Sequence, residues 1–389
     1  MFNYKETMDN LIRKEVESGS VKGAAALVVH KGKEIYHNVF GLADAEQGTP
    51  MKRDTIFRLY SMTKPVCAAA TMILVERGEL DLWDPVSMYL PAYKNQVVWS
   101  DTEGEVPVKR ESTIFDLLNM TSGIVYPGED TEPGRRMKAV VDDFVKRREQ
   151  GEWIDTRAYA DAIASVPLMF QPGEKWMYGF SADILGAVIE VATGMKFSDF
   201  LRKELFEPLE MVDTGFYAPG EKIHRLAQYY DVINGEFIPH TDHHLGEYWG
   251  EDVAFESGGA GLVSTLDDYM HFATMMVQKG EYKGKRILGR KTVEFMTTNH
   301  LSKEQLVDFN WYSTLGHGYS CLMRILTDQG AAGTNASLGE HGWDGWAGCY
   351  VTMDPKEELV LLYFIQRCGA GMTPVVRKLR TVTYAALED

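Results

Sequence analysis

Ser61 and Lys64 stand three residues apart in RLYSMTKPV, at the foot of an apolar helical run. Residues at that spacing share one helix face, so the lysine amine can approach the serine hydroxyl. A serine hydroxyl is a weak nucleophile until a base takes its proton. A lysine held in an apolar site beside polar groups is partly neutral and can serve as that base. Backbone N–H groups at a helix entrance point outward, where they stabilise a developing oxyanion. Pro65 fits this placement, because proline is tolerated in the first turn and costly further inside. The spacing alone equally describes a helix cap followed by a surface lysine. Chance supplies about one Ser-x-x-Lys in a chain of this composition, and this is the only one here.

The elements that must hold the pair follow from the surrounding pattern. Pro65 to Arg77 is rich in helix formers and stops at Gly78, suited to the left-handed position after a helix. Ala24 to Phe40 has two runs joined by Lys-Gly-Lys, which predicts a β-hairpin. The middle of the chain reads as mainly helical, including Phe115 to Met120, Ala158 to Ser165 and Ile184 to Thr193. Strand signals return at Cys349 to Met353 and Leu359 to Ile365, and Pro374 to Leu387 closes as a helix. The fold class expected is α/β (α+β): an antiparallel sheet built from both chain ends and flanked by helices, with a mainly helical lobe inserted. The expected lobes are 1–85 with 300–389, and 86–299.

Lys plus Arg total 40 against 56 Asp plus Glu, a formal charge of −16, which repels a phosphate backbone and argues against nucleic acid as a partner. No apolar stretch approaches the ~18 residues of a membrane span, and no basic, apolar export signal opens the chain. The four cysteines are far apart and read as reduced core residues, so a cytoplasmic location is expected. His240-Thr241-Asp242-His243-His244, with Glu247, has residue types suited to zinc. Its spacing matches no helical metalloprotease pattern, so a polar loop at the mouth of the site is expected, with no metal and no cofactor. Trp249, Trp311, Trp343 and Trp346 are candidates to line an apolar pocket. No Gly-x-Ser-x-Gly elbow and no P-loop occurs.

Beyond the tetrapeptide, FRLYSMTKPVCAAATMILVERGELDLWDPVSMYLP, LLNMTSG, PGEKWMYGFSADILGAVIE, SGGAGLVSTLDDYMHFATMM and GWDGWAGCYVTMDP follow one another in order. In these segments the chain resembles the serine β-lactamase and penicillin-binding-protein superfamily. The likeness is to its class C-like branch, which includes family VIII carboxylesterases and D-amino-acid peptidases. Only the stretches around 128–155 and 213–250 lack a counterpart. The resemblance implies an acyl-enzyme on Ser61, Lys64 as proton acceptor and Tyr178 as the second-motif tyrosine that helps deprotonate the serine and returns a proton to the leaving group. It also implies a third motif at Trp343-Asp344-Gly345, or through His341 if the register shifts. Backbone N–H groups of Ser61 and Trp346 would then form the oxyanion hole.

Two departures from the family pattern bear on substrate. Tyr-x-Asn reads Tyr178-Gly179-Phe180, and the lysine of Lys-Thr-Gly is missing, with Asp344 close by. Both disfavour anionic β-lactams and amides. The expectation is therefore a carboxylesterase acting on small or moderately apolar esters. The alternatives are an acyltransferase with the same Ser/Lys/Tyr site, a D-amino-acid peptidase or weak β-lactamase, and a non-catalytic binding protein of the same fold. The partner expected is a small ester or amide, and the sequence leaves the oligomeric state open.

Overall fold

The computed structural model describes residues 3–240 and 253–387. Eight strands form one antiparallel sheet in the order His317–Ser320, Met323–Leu326, His341–Gly342, Tyr350–Asp354, Leu359–Phe364, Gly23–His30, Lys33–Asp44 and Thr49–Pro50. Both chain ends therefore meet at the centre, where Ala25 pairs with Phe364. The predicted hairpin is present. Lys31 (φ 50°) and Gly32 (φ 70°) supply the two left-handed residues that let a two-residue turn follow the strands' twist.

The central strands are apolar on both sides because both sheet faces are covered. Ala24, Ala26 and Val28 face one core, and Ala25 and Leu27 face the other, the alternation a pleated strand imposes. Helices Tyr4–Glu17 and Pro374–Ala385 pack together over the first face. Leu266–Val277 lies on the second face against strands Gly23–His30, Tyr350–Asp354 and Leu359–Phe364, although in sequence it falls between segments of the helical region. Beyond it, the helix Thr63–Glu76 packs on Ser181–Thr193, and Gly78 (φ 70°) follows its end in the left-handed conformation. From Thr63 to Leu74 every residue of that helix is buried, which is why its sequence is apolar all round.

Two features go beyond the sequence reading. Strands His317–Ser320 and Met323–Leu326 are joined by Cys321 (φ 44°) and Leu322 (φ 62°), a tight turn built without glycine or asparagine, so the usual hairpin signal is absent. The stretch around 128–155, which the sequence reading could not match, contains an 18-residue helix, Glu132–Glu149. Thr131 caps it by accepting from the Gly134 N–H, and it buries Met137, Val141 and Phe144. No helix among the described residues is long and apolar enough to cross a membrane.

Candidate active site

Ser61 sits in a single 3-10 turn, Tyr60–Met62, that runs directly into the Thr63–Glu76 helix. The preceding Tyr60 has φ 48°, uncommon for a bulky residue and costing on the order of 1–3 kcal/mol. Three contacts hold the strained turn. The Tyr60 ring packs on Tyr229 at 5.3 Å, Leu59 N–H donates to Leu262 O (2.9 Å), and the Tyr269 hydroxyl donates to Met62 O (2.8 Å). Pro65 occupies the first helical turn, as the sequence predicted.

Lys64 is fully buried and donates from Nζ to three oxygens: Ser61 Oγ at 3.1 Å, the Tyr126 hydroxyl at 3.0 Å and Gly259 O at 2.8 Å. Among the described residues no carboxylate lies within ion-pair distance of it. Burial pushes its pKa from 10.5 down to about 8, partly offset by the more distant carboxylates of Asp183 and Asp344. With that value roughly a tenth of the amines are neutral at pH 7, enough to accept a proton from Ser61.

Tyr178 lies in the loop before the Ser181–Thr193 helix. Its hydroxyl lies beside Ser61 and accepts from Trp343 Nε1 at 2.9 Å. The Lys64 amine stands over the ring face, 4.6 Å from its centroid. Burial holds the phenol well above its ordinary range, against the pull of Ser61 and Trp343, so Tyr178 keeps its proton. The two residues after Tyr178, the second of them the departure from Tyr-x-Asn, have steric roles. A Cβ on Gly179 would come within 2.0 Å of Ile124 O, so only glycine lets that backbone lie alongside Tyr178. Phe180 is fully buried and packs edge-on to Tyr126 at 4.6 Å, supporting the ring whose hydroxyl meets Lys64.

Tyr126, Gly259 and Asp183 belong to the site although no motif singled them out. Asp183 is buried and accepts hydrogen bonds from Ser257 Oγ and, at 3.2 Å, from Gly259 N–H. It thereby fixes the loop whose Gly259 carbonyl receives Lys64. Gly258 allows the same loop to pass close to the helix, since a Cβ there would meet Ala182 O at 2.2 Å. The sequence match SGGAGLVST marks this loop without revealing that a carbonyl is the working atom.

The third-motif strand is in the Trp343 register. Trp343 is buried with its indole N–H on Tyr178, and a Cβ on Gly345 would lie 2.1 Å from Leu59 O, so the strand runs against the nucleophile turn backbone to backbone. Trp346 is 57 % exposed at the edge of the site, its indole donating to Cys368 Sγ at 3.2 Å. Burial raises the Asp344 carboxyl to about 6 against the fields of Arg324 and Lys64. His341 departs from the shifted-register expectation. It is buried in the sheet with Nδ1 against Gly339 O (3.0 Å), and Trp343 is the residue that reaches Tyr178. Its neighbour Glu340 joins a separate buried cluster with Arg324 (3.3 Å), Arg380 (3.7 Å) and Thr352 Oγ1 (2.9 Å).

Of the predicted tryptophan lining, Trp311 stands edge-on to Tyr178 at 5.4 Å and is 42 % exposed, while Trp249 lies outside the described residues. Of the histidine-rich run only His240 is described, its Nδ1 2.8 Å from Asp231 Oδ2; His243, His244 and Glu247 lie outside the described residues.

The same arrangement of segments recurs in known proteins. The chain is 31 % identical to Protein Rv1367c of Mycobacterium tuberculosis, covering 97 % of each. It is 29 % identical to Esterase EstB of Burkholderia gladioli, covering 97 % of this chain and 94 % of that protein. Among solved structures, EstCE1, described as a hydrolase with promiscuous acyltransferase activity, superposes with a TM-score of 0.81 at 24 % identity over 98 % of both chains. The Beta-lactamase family model matches residues 8–382, and the chain belongs to that family of serine hydrolases.

Proposed function

We propose that this protein is a class C-like carboxylesterase that hydrolyses uncharged, small to moderately apolar esters through an acyl-enzyme on Ser61. The observation that carries this reading is the buried Lys64 amine, 3.1 Å from Ser61 Oγ and shifted to about 8. Lys64 removes the Ser61 proton as Oγ attacks the ester carbonyl. The oxyanion falls to the backbone N–H groups of Ser61 and Trp346. Tyr178, protonated and oriented by Trp343, gives its proton to the departing alkoxide and is reprotonated from Lys64. Water then repeats the sequence in reverse to release the acid.

The substrate class rests on charge and shape. With Trp343 in place of the family's lysine and Asp344 beside it, no side chain of this motif attracts a substrate carboxylate. Trp311 and Trp346 offer apolar surface at the rim instead. That surface also supports a second reading, acyl transfer, in which an apolar alcohol rather than water takes the acyl group.

The test is labelling by a fluorophosphonate probe and turnover of p-nitrophenyl butyrate. Wild type is expected to label and turn over, and Ser61→Ala to do neither. Labelling that persists in Ser61→Ala overturns the mechanism. Faster turnover of nitrocefin or D-aminoacyl amides than of simple esters would transfer the protein to the β-lactamase or peptidase reading. Ester product diverted to an added alcohol in preference to water would establish acyl transfer.

A further inference from the structure

Asp231, His240 and Cys368 come from three different segments, yet one ligand atom of each lies within 4.8 Å of the other two. Asp231 Oδ2 and His240 Nδ1 are 2.8 Å apart. In a tetrahedral zinc site, bonds of about 2.0 Å to nitrogen or oxygen and 2.3 Å to sulfur place neighbouring ligand atoms roughly 3.5 Å apart. Side-chain rotation alone spans the difference.

The backbone already fixes the three positions. Strands Tyr230–Ile233 and Glu236–Pro239 form a hairpin in which Asp231 pairs with Ile238, and His240, whose N–H donates to Tyr229 O (2.8 Å), follows the second strand two residues further on, diagonal to Asp231. The chain leaving the last sheet strand runs parallel to the same hairpin. Tyr230 N–H donates to Gln366 O (3.3 Å), and Cys368 N–H donates to Tyr230 O (2.7 Å). All three side chains are half-buried, whereas Cys67, Cys321 and Cys349 are buried. The Trp346 indole N–H on Cys368 Sγ (3.2 Å) is the supporting contact expected around a ligating sulfur.

The geometry points to a binding site for a soft divalent cation of the zinc class, held by the Asp231 carboxylate, a His240 ring nitrogen and the Cys368 thiolate beside the rim of the cleft. A sulfur, nitrogen and oxygen set favours zinc, cobalt or copper over magnesium or calcium. Binding forms a metal–sulfur bond at the expense of the thiol S–H, and the proton leaves to solvent, so affinity rises with pH. Among the described residues these three supply the protein ligands. The site touches the Ser61 cleft only through Trp346, whose indole meets Cys368, and it uses only His240 of the histidine-rich run that the sequence offered.

The test is titration of the reduced, chelator-treated full-length protein with Co²⁺. Wild type is expected to develop a near-ultraviolet sulfur-to-cobalt charge-transfer band, saturating at about one ion per chain and removed by added Zn²⁺. Cys368→Ser should lose the band. His240→Ala and Asp231→Ala should weaken binding by more than about tenfold, the least that losing even a supporting partner costs. Circular dichroism checks that each variant is folded without reference to activity. No charge-transfer band in wild type, or an undiminished band in folded Cys368→Ser, overturns the site.

Discussion

Lys64 and Glu340 are both completely buried, on opposite faces of the sheet, and their surroundings treat charge in opposite ways. Glu340 is surrounded by Arg324, Arg380 and the Thr352 hydroxyl, and the two guanidinium groups hold its carboxyl far below the usual range despite its burial. Lys64 faces only neutral oxygens, from Ser61, Tyr126 and Gly259, and burial drives its pKa down to about 8. A buried charge met by opposite charge stays charged and braces the fold. One met by dipoles alone is ready to give up its proton. The first arrangement serves structure, and the second is what the proposed mechanism uses for proton transfer.

The largest effect should come from exchanging that proton-transfer role for packing. Lys64→Met is expected to lower ester turnover by about 10³–10⁴-fold while raising stability by roughly 1–3 kcal/mol at pH 7. The folded-state pKa lies below the unfolded one, so the folded protein binds fewer protons between about 8 and 10.5, and wild-type stability rises with pH through that window. The advantage of Lys64→Met should therefore be greatest below pH 8 and vanish above about 10.5. Chemical denaturation across pH decides this, and a destabilised Lys64→Met would end the contrast between the two regions.

Glu340→Gln should behave in the converse way. Turnover is expected to be unchanged and stability to fall by about 3–5 kcal/mol, since two arginines lose their buried partner. The depressed carboxyl contributes stability that is present above the ordinary carboxyl pKa of about 4.3 and lost as pH falls through its folded value. The deficit of the variant in urea melts should accordingly shrink as the pH is lowered from about 4.

Two smaller effects sharpen the Lys64 side. The pH profile of kcat/KM should rise to a plateau with a midpoint of about 8, as the neutral amine becomes the dominant form. A profile flat from 6 to 9 would exclude Lys64 as the base. Trp343→Phe removes the indole donor from Tyr178 and should slow turnover about fivefold, for a hydrogen bond of ~1 kcal/mol, with stability little changed. Equal turnover by this variant would mean that Tyr178 needs no positioning.

Much of this contrast was legible in sequence on one side only. Ser61, Lys64 and Tyr178 lie in ordered local segments, and the hairpin, the buried helix and the last two sheet strands announce themselves by periodicity. Tyr126 left no such trace, and the SGGAGLVST segment marked Gly259's loop without marking its carbonyl. One acts through a hydroxyl in a loop beyond the LLNMTSG segment and the other through a main-chain carbonyl, which any residue carries. The Glu340 cluster was equally hidden, because Glu340, Arg324 and Arg380 are brought together only when the sheet and the C-terminal helix close. The Cys321-Leu322 turn shows the same limit in the backbone, since side chains that ordinarily avoid left-handed geometry conceal it.

The contact between Gly345 and Leu59 separates what this protein can vary from what it must keep. Where two main chains touch, mutation has almost nothing to change except the glycine itself, so the framework that presents Ser61 is shielded from drift. The flanking side chains of Asp344 and Trp346 carry no such backbone constraint, while Trp343 is tied to Tyr178 through its indole N–H. Substrate preference can thus diversify along one short strand while the reacting centre stays where it is, an economy that makes this edge the natural place to begin redesigning the enzyme.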